Sequence, residues 1–315
     1  MIHRVNSTVR CGIVLAGGEG KRLQPFVHRL LKGGLPKQYV NFIGKRSMLE
    51  HTFDRAEKLI PPDRLFTVVG RAHLGFPEVR RQLSCRPEGT VIIQPVNKET
   101  APGVLLPLVH LSKRFPDCTV IVFPSDHFIL EEDVFMGDVE LACRAVEQNL
   151  SELVLLGIEP RAPDPEYGYL VPERRPAENA AQGVRKVVRF IEKPGRDSAR
   201  ELVRGGALWN SFVMAFRATA LLDLVRRIAP GLYGSFERIR HALGTAGEFD
   251  AVEEAYQNLA PMNFSSQILE RIPSLGSWRM SALSVPGVFW SDWGSEQRIE
   301  GVLRMLGKKP RLAQV

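Results

Sequence analysis

Apolar and polar residues follow one another along the first half of the chain in a pattern that predicts short strands separated by amphipathic helices. Runs rich in β-branched residues predict strands, and apolar residues spaced three and four apart predict helices. The predicted strands are residues 10–16, 65–69, 91–94, 119–123 and 153–158, and the predicted helices are residues 47–59, 101–115 and 139–149. Alternating strands and helices indicate parallel βαβ units, so we expect an α/β fold with helices on both faces of a sheet.

The second half of the chain has a less regular pattern. Strands are predicted at residues 184–192, 212–216 and 285–290, and helices at residues 198–204 and 218–227. The chain has no internal repeat, no low-complexity tract and no convincing interdomain linker. We therefore expect a single domain over residues 1–305, with halves at roughly 10–160 and 161–305, followed by a C-terminal tail at 306–315.

Unusual residues follow several of the predicted strands, where α/β sheets bind their ligands. The first strand is followed by Gly17-Gly18-Glu19-Gly20-Lys21-Arg22, and the fourth by Ser125-Asp126-His127. The late strand ends at Ser291-Asp292-Trp293-Gly294. Since Asp126 and Asp292 each follow a predicted strand, we expect both to lie at one edge of the sheet, where two carboxylates can hold one Mg²⁺. A turn or a helix cap is the alternative role for either aspartate alone.

Composition excludes several classes of protein. The 315 residues are 44% hydrophobic and 24% charged, which is ordinary for a chain that buries a full core. The apolar runs are too short to cross a bilayer, so we expect no membrane interaction. The four cysteines form no CxxC pair, and we interpret them as reduced thiols of a cytoplasmic protein.

The chain is basic, with a formal net charge of +7 and a sequence pI of about 9.4. A solvated surface rich in arginine and a cleft that attracts anionic substrates both fit this charge. Nucleic-acid binding does not fit, because the basic residues form no arm and no RRM, zinc-finger or basic-zipper pattern is present. The sequence does not fix the oligomeric state, and a homodimer stays open.

The three glycines after the first strand form the strongest chemical signal. Gly17, Gly18 and Gly20 allow backbone N–H groups to approach an anion without obstruction by Cβ, and the basic side chains that follow can neutralise phosphate. Two familiar phosphate loops do not match, because Arg22 stands where the Walker loop needs Ser or Thr and Leu23 stands where GxGxxG needs its third glycine. A glycine turn with a basic flank is the alternative interpretation.

Seven blocks of sequence together resemble one enzyme family, the sugar-phosphate nucleotidyltransferases. The first block is Gly17-Gly18-x-Gly20-x-Arg22-Leu23-x-Pro25 with Leu35-Pro36-Lys37-Gln38-Tyr39, whose Pro-Lys-Gln-Tyr form is particularly similar to mannose-1-phosphate guanylyltransferases. The other six follow in the family's order: Pro95-x-Asn97-Lys98-Glu99-Thr100-Ala101-Pro102, Phe123-Pro124-Ser125-Asp126-His127, Tyr167-Gly168-Tyr169, Phe190-Ile191-Glu192-Lys193-Pro194, Trp209-Asn210-Ser211 and Trp290-Ser291-Asp292-Trp293-Gly294. The resemblance covers nearly the whole chain.

The resemblance implies a Rossmann-like, three-layer α/β/α fold with a mixed, mostly parallel sheet. It also implies transfer of a nucleotidyl group to a sugar 1-phosphate with Mg²⁺, most simply from GTP to mannose 1-phosphate. Residues 10–160 would bind the nucleotide, and residues 161–305 the sugar phosphate. Arg22 and Lys37 would contact the triphosphate, and Lys193 the sugar phosphate.

Further residues take binding roles by the same resemblance. The nucleotide would rest on Leu15, Ala16, Gly17, Gly18 and Gly20, with Gln94, Asn97 and Thr100 nearby. The sugar would be bound by Gly168, Glu192 and Asn210, and the metal by Asp126 and Asp292. His127 is expected to be a structural neighbour of the metal aspartate rather than a catalyst. Core packing is expected for Trp209 and Trp290.

The chain departs from the family at two places. The segment between Arg22 and Lys37, including residues 27–34, is longer than the usual spacing, which fits an extended lid over the triphosphate or a surface insertion without function. Phe212 follows Asn210-Ser211 where the family usually has glycine, and it would narrow the sugar pocket or pack beneath it. No isomerase domain or hexapeptide β-helix is expected, so transfer would be the only activity.

Two alternative functions stay open at this point. The first is the same chemistry with glucose 1-phosphate and UTP or dTTP. The second is a non-catalytic regulatory subunit that senses nucleotide. The presence of Lys37, Asp126, Lys193 and Asp292 argues against the second, because a regulatory subunit is expected to have lost such groups.

Overall fold

The computed structural model describes residues 8–31, 33–148, 152–174 and 183–308. Its strands are β1 Arg10–Ala16, β2 Leu65–Gly70, β3 Val91–Gln94, β4 Thr119–Pro124, β5 Phe128–Ile129, β6 Leu153–Ile158, β7 Tyr169–Pro172, β8 Val184–Ile191, β9 Leu208–Arg217, β10 Met280–Val285 and β11 Trp290–Ser291. Its α-helices are α1 Gln24–Leu31, α2 Met48–Glu57, α3 Pro77–Leu83, α4 Thr100–Arg114, α5 Glu132–Glu147, α6 Arg196–Arg204, α7 Ala218–Ile228, α8 Pro230–Ala242, α9 Glu248–Asn258, α10 Phe264–Gln267 and α11 Glu296–Met305.

Nine of the described strands form one sheet in the order β3-β2-β1-β4-β9-β6-β10-β8-β7. β1 pairs in parallel with β2 and β4, and β10 pairs in parallel with β6. β9 runs antiparallel to both β4 and β6, and β8 runs antiparallel to β10. Seven of these nine strands therefore run in one direction and β8 and β9 in the other, so that four pairings are parallel and five antiparallel. The predicted α/β fold with a mixed sheet is confirmed.

The central strands are buried on both faces, as three stacked layers require. Along β1, Ile13 packs in one hydrophobic cluster with α4, whereas Val14 packs in a second cluster with α2 and α5. Val120 and Ile121 of β4 divide between the same two clusters. Successive side chains of a strand point to opposite faces, so this division puts helices on both sides of the sheet.

Local signals explain where some helices begin. Ser47 caps α2 by accepting a hydrogen bond from the backbone N–H of Glu50, and the Glu50 side chain accepts one from the backbone N–H of Ser47. This reciprocal pair satisfies two N–H groups that the first turn leaves free. Pro77 and Pro230 occupy the first positions of α3 and α8, where their missing N–H is harmless.

The prediction of a strand over residues 285–290 is wrong. β10 ends at Val285, and β11 is a short strand that pairs with β5 in a separate two-stranded sheet. Pro286 and Gly287 interrupt the run because proline cannot donate to a ladder and Gly287 takes a φ of 72°. Asp292 therefore follows a strand outside the main sheet.

Other boundaries differ less from the predictions. The third predicted helix begins earlier, at Glu132, and the strand predicted at 212–216 extends over Leu208–Arg217. The tail expected at 306–315 lies outside the described residues from 309 onward. All four cysteines are free, and Cys11, Cys118 and Cys143 are buried. In the described part of the chain, no helix combines the length and apolar character needed to cross a bilayer.

Candidate active site

A cavity of about 920 Å³ opens beyond the carboxyl ends of β1 and β4. Twelve of the sixteen residues predicted for the site line it: Leu15, Gly18, Gly20, Arg22, Lys37, Thr100, Asp126, Gly168, Glu192, Lys193, Asn210 and Asp292. Ala16, Gly17, Gln94 and Asn97 do not line it. We call the side formed by Leu15, Gly18, Gly20, Lys37 and Thr100 the glycine-loop wall. The side formed by Gly168, Glu192, Lys193, Asn210 and Phe212 is the bulge wall.

The glycine loop is held from behind by side chains that bind its carbonyl groups. Gln38 Nε2 donates to the carbonyl oxygens of Ala16 and Gly18, each at 2.8 Å. The Tyr39 hydroxyl donates to the Ala16 carbonyl at 3.1 Å. Gln38 and Tyr39 are buried, so these bonds are shielded from water and fix the loop backbone.

Gly17 and Gly18 have different surroundings although they are neighbours. A Cβ on Gly17 would lie 2.3 Å from Gln94 Nε2, which donates to the Gly17 carbonyl at 3.1 Å. A Cβ on Gly18 would meet nothing within 4 Å, and Gly18 is exposed towards the cavity. Gly17 is therefore required by close packing against Gln94, whereas Gly18 keeps the cavity side of the loop open.

Gln94 and Asn97 support the glycine-loop wall from outside the cavity. Gln94 is 2% exposed and lies beneath the loop. Asn97 is exposed, and its Oδ1 accepts the backbone N–H of Glu99 at 2.9 Å. Glu99, the residue that precedes α4, has a φ of 70°. Gln94 therefore supports Gly17 from beneath, and Asn97 holds the turn before Thr100, which does line the cavity.

Lys37 and Asp126 form an ion pair in the wall of the cavity. Lys37 Nζ lies 2.7 Å from Asp126 Oδ2 and donates to the Trp293 carbonyl oxygen at 3.1 Å. Burial alone would raise the pKa of Asp126, but Lys37 and His127 hold it below its ordinary value. Asp126 is therefore ionised at neutral pH. The pair joins the loop before α2, the end of β4 and the segment after β11.

Asp292 is bound by groups that lie both near it and far from it in the sequence. Its Oδ1 accepts hydrogen bonds from the Tyr167 hydroxyl at 3.1 Å, from Arg298 Nη1 at 2.7 Å and from the Gly294 N–H at 3.2 Å. Arg298 also donates to Asp164 Oδ2 at 2.7 Å, and its guanidinium lies 4.1 Å from the centre of the Tyr167 ring. This network fixes the orientation of the Asp292 carboxylate.

Sequence reasoning missed Arg298 and Asp164. Neither falls in a block of the family pattern, and 134 residues separate them. Arg298 lies in the first turn of α11, two residues after the first residue of that helix. The only signal in the sequence was its distance of six residues from Asp292, which on its own carries no information about a contact.

The two aspartates offer oxygen ligands of the kind that Mg²⁺ prefers. No group of three or more His, Cys, Asp or Glu residues that could hold a metal occurs in the described ranges. Mg²⁺ is commonly bound through one or two carboxylates with phosphate oxygens and water completing the octahedron. Lys37 pairs with Oδ2 of Asp126, and Arg298 pairs with Oδ1 of Asp292. The second oxygen of each carboxylate is not taken by that cation, so this donor set fits Mg²⁺ together with a phosphate ligand.

His127 is buried beside the two aspartates. Burial lowers its pKa to about 4, although Asp126 and Asp292 act in the opposite direction. The imidazole is therefore neutral at pH 7. Its ring packs edge-on against Trp290, with ring centres 5.1 Å apart, and the buried Arg55 donates to its backbone carbonyl at 3.4 Å. These contacts favour the structural role expected from the sequence.

The bulge wall brings together the groups expected to bind the sugar. A Cβ on Gly168 would lie 2.6 Å from Glu192 Oε2 and 3.5 Å from Asn210 Cβ, so only glycine allows this approach. Burial raises the pKa of Glu192, while Lys193 opposes that rise. Lys193 Nζ lies 3.9 Å from Glu192 Oε1, and its side chain is half exposed. A cation and a hydrogen-bonding carboxylate therefore face the same part of the cavity.

Arg22 lies at the mouth of the cavity. Its side chain is 73% exposed and pairs with Glu166 at 2.6 Å across the opening. Gly20, with a φ of 62°, precedes the 3-10 turn Lys21–Leu23 that carries Arg22. An exposed ion pair of this kind contributes little stability, so Arg22 can exchange Glu166 for an anionic ligand.

The segment 27–34 begins within α1. Val27 is buried with Trp293 and Ile299 in a third hydrophobic cluster, and Arg29 pairs with Glu296 at 2.6 Å. Lys32 lies outside the described residues. The described part of this segment is therefore packed on α11 at the edge of the cavity, which Phe26 lines. The lid function stays a prediction.

Four residues around the site have a strained backbone. In the described part of the chain, the non-glycine residues with positive φ are Glu99 at 70°, Lys193 at 47°, Phe212 at 59° and Trp293 at 43°. Each such conformation costs on the order of 1–3 kcal/mol and persists only where the surroundings enforce it. Strain of this kind concentrates at functional sites. Here it lies in two residues of the bulge wall, Lys193 and Phe212, and in the chain neighbours of Thr100 and Asp292.

The pattern that distinguishes the chain is a glycine loop, a lysine–aspartate pair and a second wall of Glu, Lys and Asn around one cavity. The nucleotidyl transferase family matches residues 11–303 of the chain. The chain belongs to that family. This membership confirms the class of enzyme that the sequence blocks predict, and residues 11–303 include both walls.

Two bacterial proteins illustrate the similarity of this nucleotidyl transferase family member to known enzymes. The chain is 32% identical over 221 residues to the xanthan biosynthesis protein XanB of Xanthomonas campestris pv. campestris strain B100. The matched residues cover 70% of this chain and 44% of that protein. It is 30% identical over 244 residues to a mannose-1-phosphate guanylyltransferase of Klebsiella pneumoniae, covering 76% of this chain and 50% of that protein. The chain thus spans about half the length of these relatives.

A solved structure supports the fold assignment. The protein described as mannose-1-phosphate geranyltransferase from Thermus thermophilus superposes with a TM-score of 0.77 at 25% identity. The superposition covers 96% of this chain and 80% of that one. The predicted nucleotidyltransferase fold is therefore confirmed.

Proposed function

We propose that this protein transfers a guanylyl group from GTP to mannose 1-phosphate, forming GDP-mannose and pyrophosphate with Mg²⁺. The observation that carries the proposal is that the Lys37–Asp126 pair and the Glu192, Lys193 and Asn210 side chains line one cavity. Such a cavity can hold two anionic substrates side by side. The names of the Klebsiella relative and of similar proteins support the choice of sugar and nucleotide.

The chemistry is a substitution at the α-phosphorus of the triphosphate. A phosphate oxygen of mannose 1-phosphate attacks that phosphorus, the bond to the bridging oxygen of the β-phosphate breaks, and pyrophosphate leaves with both electrons. The attacking phosphate is already an anion near pH 7, so no side chain has to remove a proton. The protein therefore has to hold two polyanions together and stabilise charge, which is a task of positioning and electrostatics.

On the glycine-loop wall, the protein would bind the nucleotide. The exposed face of Gly18 lets the triphosphate approach the loop backbone, and Lys37 would stabilise charge near the α-phosphate. Arg22 would leave Glu166 for the phosphates beyond it. A phosphate competes well for arginine because the guanidinium binds two of its oxygens at once.

On the bulge wall, the protein would bind mannose 1-phosphate. Lys193 would neutralise the acceptor phosphate, and Glu192 would accept hydrogen bonds from sugar hydroxyls. Asn210 Oδ1 already accepts the backbone N–H of Phe212 at 3.0 Å, so its Nδ2 group would serve as a donor to the sugar. Gly168 leaves the space that Glu192 occupies.

Asp126 and Asp292 would hold the metal in this proposal. Mg²⁺ supplies neutralisation of charge on phosphate oxygens when it is bound. Lys37 and Arg298 hold the two carboxylates in place from either side. We further propose that residues 1–305 act as one catalytic unit and that the protein is cytoplasmic.

Pyrophosphate release by purified protein tests the proposal. The assay pairs each of GTP, ATP, UTP, CTP and dTTP with mannose 1-phosphate or glucose 1-phosphate, with and without Mg²⁺. We expect release that requires Mg²⁺ and is greatest with GTP and mannose 1-phosphate. Turnover of glucose 1-phosphate with UTP or dTTP would replace the substrates. Nucleotide binding without turnover of any pair would instead indicate a regulatory subunit.

A further inference from the structure

Phe212 lies at a bulge in β9 that opens onto the cavity. Leu155 of β6 pairs with Met214, and Gly157 pairs with Asn210. One residue of β6 therefore faces three residues of β9, residues 211–213. β9 pairs with β4 only from Met214 onward, so the bulge residues before it have no partner in β4. A bulge of this kind bends its strand and redirects a side chain, and bulges are common beside active sites.

Hydrogen bonds hold the bulge in one shape. The Ser211 hydroxyl donates to the Leu156 carbonyl at 2.7 Å and accepts the Val213 N–H at 3.2 Å. The Phe212 N–H donates to Asn210 Oδ1 at 3.0 Å. The central residue, Phe212, has a φ of 59°, a conformation that glycine adopts without cost and a bulky side chain does not. The chain therefore keeps a phenylalanine where the backbone favours glycine.

The Phe212 ring packs on a segment that contacts both walls. It meets Phe264 edge-to-face, with ring centres 5.8 Å apart and an angle of 79° between the planes. The Phe264 N–H donates to Thr100 Oγ1 of the glycine-loop wall at 2.8 Å. Ser265, the next residue, hydrogen-bonds the Glu192 side chain. The half-buried Phe212 side chain thus has one edge fixed on Phe264 and lines the cavity beside Asn210.

We propose that Phe212 determines acceptor specificity by presenting an aromatic wall to the sugar ring. It selects a pyranosyl 1-phosphate that turns an apolar C–H face towards it while the hydroxyls on the other side bind Glu192 and Asn210. Packing alone would not require the side chain to be held in a left-handed conformation facing a cavity. This inference rests on the proposed function, because it names the kind of acceptor that the same cavity takes.

The test compares F212G, F212L and the wild type at saturating GTP and Mg²⁺. For each, kcat/KM is measured with mannose 1-phosphate, glucose 1-phosphate, galactose 1-phosphate and N-acetylglucosamine 1-phosphate. In F212G we expect the ratio of kcat/KM for the preferred acceptor to kcat/KM for at least one other acceptor to fall on the order of 10-fold. This is the effect of emptying an apolar subsite. F212L keeps apolar bulk, so its selectivity should stay within about threefold of the wild type. The Kd for GTP should not change in either variant.

The ratio between acceptors separates specificity from a structural role, because a general distortion lowers kcat/KM for every acceptor alike. F249A, which truncates an exposed phenylalanine on α9, is the control for loss of an aromatic side chain. If F212G does not fold, F212N replaces it, since asparagine tolerates positive φ. If the wild type turns over and F212G shows the same selectivity between acceptors, this inference alone is overturned. A wild type that turns over no acceptor would overturn the proposed function and this inference with it.

Discussion

On the glycine-loop wall, functional groups follow the ends of parallel strands and are held by hydrogen bonds to a relaxed backbone. On the bulge wall, they lie on or next to the antiparallel strands β7, β8 and β9, and two of the five residues that define it, Lys193 and Phe212, have positive φ. Gln38 and Tyr39 fix the first wall by binding the carbonyl of Ala16, only 22 and 23 residues away. The second wall depends on contacts such as Phe212 with Phe264. The order of the strands positions the groups of the first wall. Local backbone distortion, held by hydrogen bonds and packing, positions those of the second.

The largest expected effect comes from the group that lies between the walls. Replacing Asp126 with Asn leaves Lys37 without its ionised partner and removes a proposed metal ligand. We expect kcat to fall on the order of 10²–10³-fold, the usual loss for one preorganised electrostatic group. Pyrophosphate release under saturating substrates measures it. D133N, at a position 92% exposed, is the control and should keep full activity. If D126N retained more than a tenth of the wild-type rate, the charge of Asp126 would not be central.

The next effect tests whether the glycine loop depends on close packing. The G17A change puts a Cβ 2.3 Å from Gln94 Nε2, whereas G18A puts one in open space. We expect G17A to lower the free energy of unfolding by about 1–3 kcal/mol, as overpacking does, and G18A to change it by less than about 0.5 kcal/mol. Urea unfolding of the two variants measures the difference. Equal losses would mean that Gln94 moves aside and does not fix the loop.

A smaller effect tests the bulge wall. The S211A change removes the hydroxyl that bridges the Leu156 carbonyl and the Val213 N–H. We expect a loss of about 1–2 kcal/mol in the free energy of unfolding, because a buried N–H and carbonyl lose their partner. The KM for the sugar phosphate should rise a few-fold while the KM for the nucleotide stays constant. S235A, on an exposed face of α8, is the control. A rise in both KM values would contradict a separate role for this wall.

The smallest effect on activity is expected at His127, which lines the cavity beside Asp126. Its pKa of about 4 is lower than that of an unfolded histidine, near 6.5. Between these values the unfolded chain binds more protons, so His127 makes the protein less stable as the pH falls through that range. We expect H127N to keep activity within a few-fold and to show a smaller loss of stability from pH 7 to pH 5. An acid limb of kcat/KM that disappears in H127N would instead indicate a catalytic role.

The sequence predicted the glycine-loop wall better than the bulge wall, for physical reasons. β1, β3 and β6 have the predicted bounds because each is a short apolar run followed by glycine, proline or a charged residue. Periodicity cannot detect a bulge, so the strand predicted at 212–216 started after Asn210 and Ser211, which line the cavity. The run at 285–290 was mistaken for one strand because its turn lies between two apolar stretches.

Contacts between distant residues are the other part that the sequence could not supply. The family blocks identified Lys37, Asp126 and Asp292, and the structure brings all three to one cavity. Arg298 and Asp164 were missed because each is an ordinary charged residue in a helix or a loop until the fold places them together. The strain at Lys193, Phe212 and Trp293 was equally invisible, since positive φ in non-glycine residues has no sequence signature.

The most direct test of the central claim is a ³¹P NMR spectrum of one reaction containing the protein, GTP, mannose 1-phosphate and Mg²⁺. The claim is that both walls act on one pair of substrates, so that the two phosphates become joined. We expect the signals of a sugar nucleotide diphosphate and of pyrophosphate to grow together in equal amounts as both substrates disappear. Formation of GDP and inorganic phosphate, or pyrophosphate that appears without mannose 1-phosphate, would contradict it.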